Sequence, residues 1–201
     1  MSAEPSPVAK FYLDRVEEPS FRPTPPRHGA IYWSGEGNRA RAEAFAREMS
    51  MAGRPSATLE MTPDGYELDQ AGLFNDPTVA KGEARQVWAK ASDKYAVHTE
   101  GNVNTFVVGS SEQSYFRSTE LPRLLQNERV TAINGIPRER LAELAAKDPD
   151  RAYGEICSAE LARDRLRAHQ LADRHLLDDV EGRAAIAEHT GPRTGRTHWD
   201  D

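Results

Sequence analysis

Residues 30–38, Ala-Ile-Tyr-Trp-Ser-Gly-Glu-Gly-Asn, decide the fold class of this chain. The run from Ala30 to Trp33 is short, apolar and bounded by glycines, which is typical of a buried strand. The glycine-containing turn after it leads into residues 39–51, where alanines, Phe45 and Met49 predict a helix with one apolar face. A strand that passes through a tight turn into a helix is the repeating unit of a parallel α/β sheet.

The same alternation continues along the chain. A helix is predicted over residues 77–98, strands over residues 102–108 and 130–136, and a short helix through Leu121, Leu124 and Leu125. Residues 55–76 are predicted to be irregular, because prolines and glycines interrupt them. The sequence therefore predicts an α/β fold, with a small, flavodoxin-like parallel sheet of about four strands flanked by helices.

Both ends of the chain differ from this central part. Residues 1–28 are rich in proline and predict an arm with a short helical piece around residues 8–16. Residues 29–137 form the predicted central domain, and residues 138–201 a charged, helical extension. The last twenty residues are predicted to be disordered, apart from an anchor at Trp199.

Composition excludes several classes of function. The chain has 201 residues and a net charge of −6 without a basic stripe, which disfavours a nucleic-acid target. It has no run of about 18 apolar residues, so no membrane span is expected. Cys157 is the sole cysteine, which forbids an intrachain disulfide and indicates action in a reducing compartment. The amino end lacks a secretory signal pattern, which leaves a specialised secretion route open.

Two tryptophans, each followed later in the chain by a glutamate, are the most informative candidates for a site. They are Trp33 with Glu60, and Trp88 with Glu120. Aromatic walls can stack a flat cationic base and exclude water, and a carboxylate can stabilise the oxocarbenium ion that forms when a glycosidic bond breaks. Two indoles and two carboxylates are what cleavage of a nicotinamide–ribose bond requires, so a nicotinamide dinucleotide is the expected substrate.

Four short motifs in the same part of the chain occur in the order and at the intervals typical of the ADP-ribosyl cyclase family. The sequence resembles that family from about residue 29 to 134. The motifs are Ile31-Tyr32-Trp33-Ser34, Thr58-Leu59-Glu60, Val87-Trp88 with Ser92 and Tyr95-Ala96, and Phe116-Arg117-Ser118-Thr119-Glu120, with Gly65-Tyr66 and Asp69 also at the family's spacing.

The resemblance implies an NAD(P)⁺ glycohydrolase or ADP-ribosyl cyclase, with NAD⁺ or NADP⁺ as substrate and no separate cofactor. It assigns catalysis to Glu120 and Glu60, with Glu60 and Asp69 holding the nicotinamide carboxamide. The other residues that it assigns to substrate binding are Trp33, Trp88, Ser34, Phe116 and Ser118, of which Ser34 and the backbone around Phe116 would contact the pyrophosphate. No histidine spacing typical of a metal site occurs, so no metal is expected.

The chain also departs from the family's pattern. Gly35 stands where the family has a phosphate-contacting arginine, Arg117 replaces a glycine, and no disulfide is possible. These departures resemble the cyclase-related domains of bacterial polymorphic toxins. The resemblance therefore implies an exported toxin that acts in a reducing cytoplasm and has a cognate immunity protein.

Structural interpretations of the same residues remain open at this point. Both tryptophans are of a type that also packs in cores, Glu60 fits a solvated loop, and Ser118 or Thr119 fits the N-cap of a short helix with Glu120 in its first turn. Two other functions remain: a protein ADP-ribosyltransferase, although its Glu-x-Glu or Gln-x-Glu signature is missing, and a non-enzymatic partner-binding module. Hydrolysis and cyclisation are not distinguished, and neither are NAD⁺ and NADP⁺.

Overall fold

The computed structural model describes the backbone of residues 4–189 and the side chains of residues 4–173. Four strands form one open sheet in the order β1 (Ala30–Trp33), β2 (Gly101–Phe106), β3 (Val130–Ile133) and β4 (Ile136–Pro137). The first three strands are parallel, and β4 pairs antiparallel with β3. The predicted α/β class with a small, mostly parallel sheet is confirmed.

Seven helices accompany the sheet in the described part of the chain. They are α1 (Pro7–Glu17), α2 (Asn38–Met51), α3 (Pro63–Ala71), α4 (Lys81–His98), α5 (Leu121–Gln126), α6 (Arg138–Lys147) and α7 (Pro149–His189).

Alternation along β1 divides its side chains between two apolar clusters, because successive residues of a strand point to opposite faces. Ile31 packs with Phe45 of α2 and with Phe106. Tyr32 packs in the larger cluster with side chains of α1, α4 and α5. Helices on both sides of the sheet thus bury Ala30, Ile31 and Tyr32, and the last residue of β1, Trp33, emerges half-buried at the carboxyl end.

The prediction that residues 55–76 are irregular was wrong. A 3₁₀ turn covers Leu59–Met61, and α3 follows directly. Thr62 caps α3 by accepting a hydrogen bond from the Gly65 N–H, Pro63 takes the first helical position, and Gly72 ends the helix with a positive φ of 59°. Proline and glycine here mark the ends of a helix rather than a loop.

The strand predicted over residues 130–136 is shorter and folds back on itself. Asn134 and Gly135 both have positive φ, which is the requirement of a two-residue hairpin turn. Ile133 and Ile136 are therefore paired across the hairpin instead of following one another along a strand.

The amino-terminal helix is packed against the domain. Ala9, Val16 and Phe21 are buried in the larger apolar cluster. The side chain of Glu83 at the start of α4 accepts hydrogen bonds from the backbone N–H groups of Ser6 and Ala80. Packing and hydrogen bonds thus attach α1 to the helix that carries Trp88.

The first turns of α7 support the end of β2. The Tyr153 hydroxyl donates to the Val107 carbonyl at 2.6 Å, and the buried Glu160 carboxylate accepts from the Val107 N–H at 2.7 Å. A second compact unit begins at Ala162 and consists, in its described part, of the rest of α7. Residues 190–201, with the predicted anchor Trp199, lie outside the described residues.

Among the described residues, no helix combines the length and the apolar character needed to cross a membrane.

Candidate active site

A cavity of about 290 Å³ opens at the carboxyl end of β1. Trp33, Glu60, Trp88 and Glu120, which come from four different elements, all line it, and we call it the aromatic cavity. Ligands of open parallel sheets bind at this edge. The structure thus brings together both predicted tryptophans and both predicted glutamates.

Trp33 is fixed by a hydrogen bond on one side and a cation on another. Its indole Nε1–H donates to Glu60 Oε2 at 3.0 Å, and the Arg39 guanidinium lies 5.9 Å from its ring centroid. Glu60 is in place because the 3₁₀ turn after Thr58 presents it beside the end of β1. Glu60 therefore orients an aromatic wall of the cavity and is not a solvated loop residue.

Asp69 also lines the cavity, and Arg39 holds both of its oxygens. The guanidinium of Arg39 donates to them at 2.8 and 2.6 Å. Hydrogen bonds to Asp69 and Glu43 raise the pKa of Arg39, so this cation stays charged at any physiological pH. Asp69 therefore acts on the cavity through Arg39, beside the face of Trp33.

Glu120 ends a π-helical turn, Phe116–Glu120, that continues directly into α5. Its side chain is buried, with 6% of the residue exposed, and Oε2 has no hydrogen-bond partner among the described residues. Burial raises its pKa to about 8; the negative charge of Glu60 adds to the rise, and a hydrogen bond with Ser92 opposes it. A buried carboxyl with an unsatisfied oxygen facing a cavity is typical of a functional group.

The alternative that Ser118 or Thr119 caps α5 was wrong. The chain is already helical through the π turn, and no side chain caps the start of α5. The Ser118 hydroxyl donates instead to the Ser114 carbonyl at 2.8 Å.

The remaining predicted residues lie in different places. Ser34 lines the aromatic cavity, and its backbone N–H donates to the Phe106 carbonyl. Phe116 is fully buried, with its ring 6.2 Å from the ring of Tyr32, so this side chain lies behind the cavity wall. Ser118 is exposed and lines a neighbouring cavity. The structure thus brings Ser34 to the tryptophans but not the side chains of Phe116 and Ser118.

Arg39, Phe74 and Tyr115 are among the wall residues that were not predicted from the sequence. Arg39 could have been inferred from its place in the first turn of a helix after a glycine-rich turn. Tyr115 directly precedes the Phe116 motif, which is a usable signal. Phe74, which is 46% exposed, lines the wall two residues after Gly72 ends α3, and no motif in the sequence singles it out.

Within the described residues, no group of three or more histidine, cysteine or acidic side chains is arranged to hold a metal ion.

No protein-family model matches the chain, and no curated protein matches it. The chain is similar to solved structures of ADP-ribosyl cyclases and of CD38. Aplysia cyclase, complexed with the substrate NGD and the product cGDPR, is 27% identical with a TM-score of 0.37, over 54% of this chain and 48% of that one. An ADP-ribosyl cyclase complexed with N1-cIDPR is 23% identical with a TM-score of 0.41, over 66% and 68%. CD38 is 17% identical with a TM-score of 0.46, over 80% and 72%. The chain thus spans about half the length of the first of these structures.

Proposed function

We propose that the protein is an NAD(P)⁺ glycohydrolase or ADP-ribosyl cyclase that cleaves the nicotinamide–ribose bond in the aromatic cavity. The observation that carries the proposal is the convergence of Trp33, Trp88, Glu60 and Glu120 on one cavity wall. The four-motif resemblance in the sequence supports the same substrate.

The chemistry of the bond suits this wall. The bond between ribose C1′ and the nicotinamide nitrogen breaks with both electrons passing to nitrogen, so the leaving pyridinium becomes neutral without an acid. Positive charge develops on the ribose, as in glycoside hydrolysis. An ionised Glu120 beside C1′ stabilises that charge, and the indoles of Trp33 and Trp88 enclose the nicotinamide ring.

The raised pKa of Glu120 is consistent with this role. Before substrate binds, the Glu120 carboxyl is largely protonated at neutral pH, because its pKa is about 8. A bound pyridinium cation favours the ionised form, since an opposite charge nearby lowers the pKa of a carboxyl. Substrate binding thus generates the charge that the ribosyl cation needs.

The outcome of the reaction depends on which nucleophile reaches C1′. In hydrolysis, water adds to C1′, loses its proton to Glu120 and gives ADP-ribose. In cyclisation, an adenine nitrogen of the same molecule forms the bond to C1′ instead. Phe74 and Tyr115 line the aromatic cavity, and the space beside them decides between hydrolysis and cyclisation.

We further propose that the activity serves a toxin that is delivered by a specialised secretion route into a reducing cytoplasm. Cys157 is free, so the fold needs no disulfide. A cognate immunity protein that inserts a side chain between the two tryptophans would block the site. The proposed action in a cytoplasm can be tested by measuring the nicotinamide-dinucleotide content of cells that produce the protein. Wild type is expected to deplete the dinucleotide, and Glu120→Gln is expected to leave its level unchanged.

The direct test is incubation of the purified protein with NAD⁺ or NADP⁺, followed by separation of the nucleotides. Glu120→Gln is expected to retain the fold and to lower nicotinamide release at least a hundredfold, a loss typical of removing a transition-state charge. Glu128→Gln, at an exposed glutamate outside the cavity, is the matched control and keeps full activity. Retained turnover in folded Glu120→Gln would refute the proposal, and label transferred from NAD⁺ to protein would favour a transferase.

A further inference from the structure

A second cavity, of about 460 Å³, adjoins the aromatic cavity. Ser34 and Tyr115 line both cavities. Hydroxyl groups are abundant in the wall of this second cavity, which we call the serine-rich cavity. Its hydroxyl side chains, besides Tyr115, are those of Ser34, Ser111, Ser114, Ser118 and Thr119.

The sizes of the two cavities bear on how a dinucleotide fits. Pockets for drug-sized ligands measure roughly 300–1,000 Å³, and a dinucleotide is larger than most such ligands. The aromatic cavity, at about 290 Å³, holds a ring and its ribose but not a second nucleotide. Because Ser34 and Tyr115 line both cavities, the rest of the substrate can extend past them into the serine-rich cavity.

Arg85 is the charged residue of this second wall. No other side chain that lines the cavity, within the described part of the chain, is ionisable near neutral pH. Arg85 is an exposed residue on the first turns of α4, three residues before Trp88, and among the described residues no ion pair joins its guanidinium to a carboxylate. By contrast, Arg39, Arg117 and Arg123 nearby each hold an aspartate. An arginine without a carboxylate partner in a hydroxyl-lined cavity is suited to bind an anion.

The opposite side of the cavity cannot supply a cation from position 35. Gly35 has a φ of +96°, and a Cβ there would lie 3.3 Å from both Asn38 Nδ2 and the Ser110 Cα. A side chain at this position would be strained by its backbone and crowded by its neighbours.

We infer that Arg85 binds the diphosphate of the dinucleotide in the serine-rich cavity, while the nicotinamide riboside half occupies the aromatic cavity. The inference rests on the proposed function and extends it by naming the residue that recognises the remote half of the substrate. One helix, α4, then carries both an indole for the base and the cation for the phosphates. Binding energy from the diphosphate positions the reacting bond at Glu120, as remote contacts do in other enzymes.

Substrates that differ in their phosphates separate this role from a structural one. The variants are Arg85→Gln and, as matched control, Arg54→Gln, at an exposed arginine that lines neither cavity. The substrates are nicotinamide riboside, nicotinamide mononucleotide, NAD⁺ and NADP⁺. Arg85→Gln is expected to lower kcat/KM for NAD⁺ about 10- to 100-fold, the loss of one charge-assisted hydrogen bond, and to leave nicotinamide riboside within twofold.

A binding measurement makes the test independent of turnover. Calorimetric titration with ADP-ribose is expected to show a similar weakening in Arg85→Gln, whereas adenosine binds wild type and variant alike. Unchanged NAD⁺ turnover, an equal loss with nicotinamide riboside, or equal ADP-ribose affinity in wild type and variant would each overturn the inference. A loss confined to NADP⁺ would overturn the diphosphate assignment in favour of the 2′-phosphate. A wild type that binds ADP-ribose through Arg85 but cleaves no dinucleotide would contradict the proposed function alone.

Discussion

The indole Nε1–H of Trp33 donates a 3.0 Å hydrogen bond to Glu60 Oε2, which joins the end of the first strand to the 3₁₀ turn. The same carboxylate raises the pKa of Glu120 through its charge. Glu60 therefore has two separable effects, one on the orientation of an aromatic wall and one on the protonation of the carboxyl opposite.

Glu60→Gln is expected to separate these two effects. The glutamine oxygen still accepts from the indole, but the negative charge is lost, so the pKa of Glu120 falls. The acid limb of the pH profile of kcat/KM should move to lower pH, whereas Glu128→Gln leaves it in place. An unmoved limb would show that Glu60 does not act on Glu120 electrostatically.

In the wild-type protein, kcat/KM is expected to rise with pH and to level off above about pH 8. This profile reports the free enzyme, in which Glu120 has a pKa of about 8 and, in the proposed mechanism, loses its proton before it acts. The acid limb of the kcat profile should lie at lower pH than that of kcat/KM, because the bound pyridinium favours the ionised form of Glu120. Steady-state rates between pH 5 and 9.5 provide the measurement. If the acid limbs of the kcat and kcat/KM profiles coincided, the expected effect of the bound pyridinium on Glu120 would be contradicted.

Glu120→Gln should make the protein more stable at high pH. The folded-state pKa, about 8, is above the ordinary value of 4.5, so the folded state holds a proton that the unfolded chain releases. Wild-type stability therefore falls as pH rises from about 4.5 to 8, by up to about 4 kcal/mol, and the glutamine variant lacks this loss. Thermal unfolding should show similar Tm values at pH 4.5 and a clearly higher Tm for the variant at pH 8.5.

Asp69→Asn should loosen the aromatic wall without removing a reacting group. It breaks the two-point ion pair with Arg39, which is partly buried, at an expected cost of about 1 kcal/mol. Because Arg39 then holds Trp33 less firmly, KM should rise several-fold while kcat changes little. Glu43→Gln, which touches Arg39 at another nitrogen and leaves the Asp69 pair intact, should affect KM less. A fall in kcat comparable with that of Glu120→Gln would instead give Asp69 a direct role.

Phe21→Ala should destabilise the domain strongly. Its ring is fully buried in the larger apolar cluster, and such truncations cost about 3–5 kcal/mol. Phe11→Ala is the matched control, because that ring is 60% exposed and its loss should be nearly neutral. Denaturant unfolding of both variants gives the comparison, and a small effect at Phe21 would show that the segment after α1 is dispensable.

The order of strands and helices could be predicted from the sequence because each strand is a short apolar run with its own boundary residues. The run from Ala30 to Trp33 is reproduced residue for residue. The third helix was missed because Pro63, at its first position, and Gly72, at its C-cap, were interpreted as loop markers. The hairpin at Asn134-Gly135 was missed because the apolar residues on both sides of the turn were joined into one strand.

The site could be predicted in its residue types but not in its energetics. Spacing and family-like order identified the four side chains that converge on the cavity. The ion pair between Arg39 and Asp69 joins residues 30 positions apart, and nothing in their local patterns indicates it. The burial of Glu120 also depends on the packing of α4 and the π turn, so its raised pKa could not be inferred from the motif.

The two indoles on the cavity wall also provide an intrinsic fluorescence signal for ligand binding. A nicotinamide ring stacked on Trp33 or Trp88 should quench their fluorescence by electron transfer, so occupancy can be followed without a label. The chain has one further tryptophan, Trp199, and its replacement by phenylalanine would leave a signal that comes from the cavity alone. Ligand affinities could then be titrated in the Glu120→Gln variant, in which we expect the substrate to remain uncleaved.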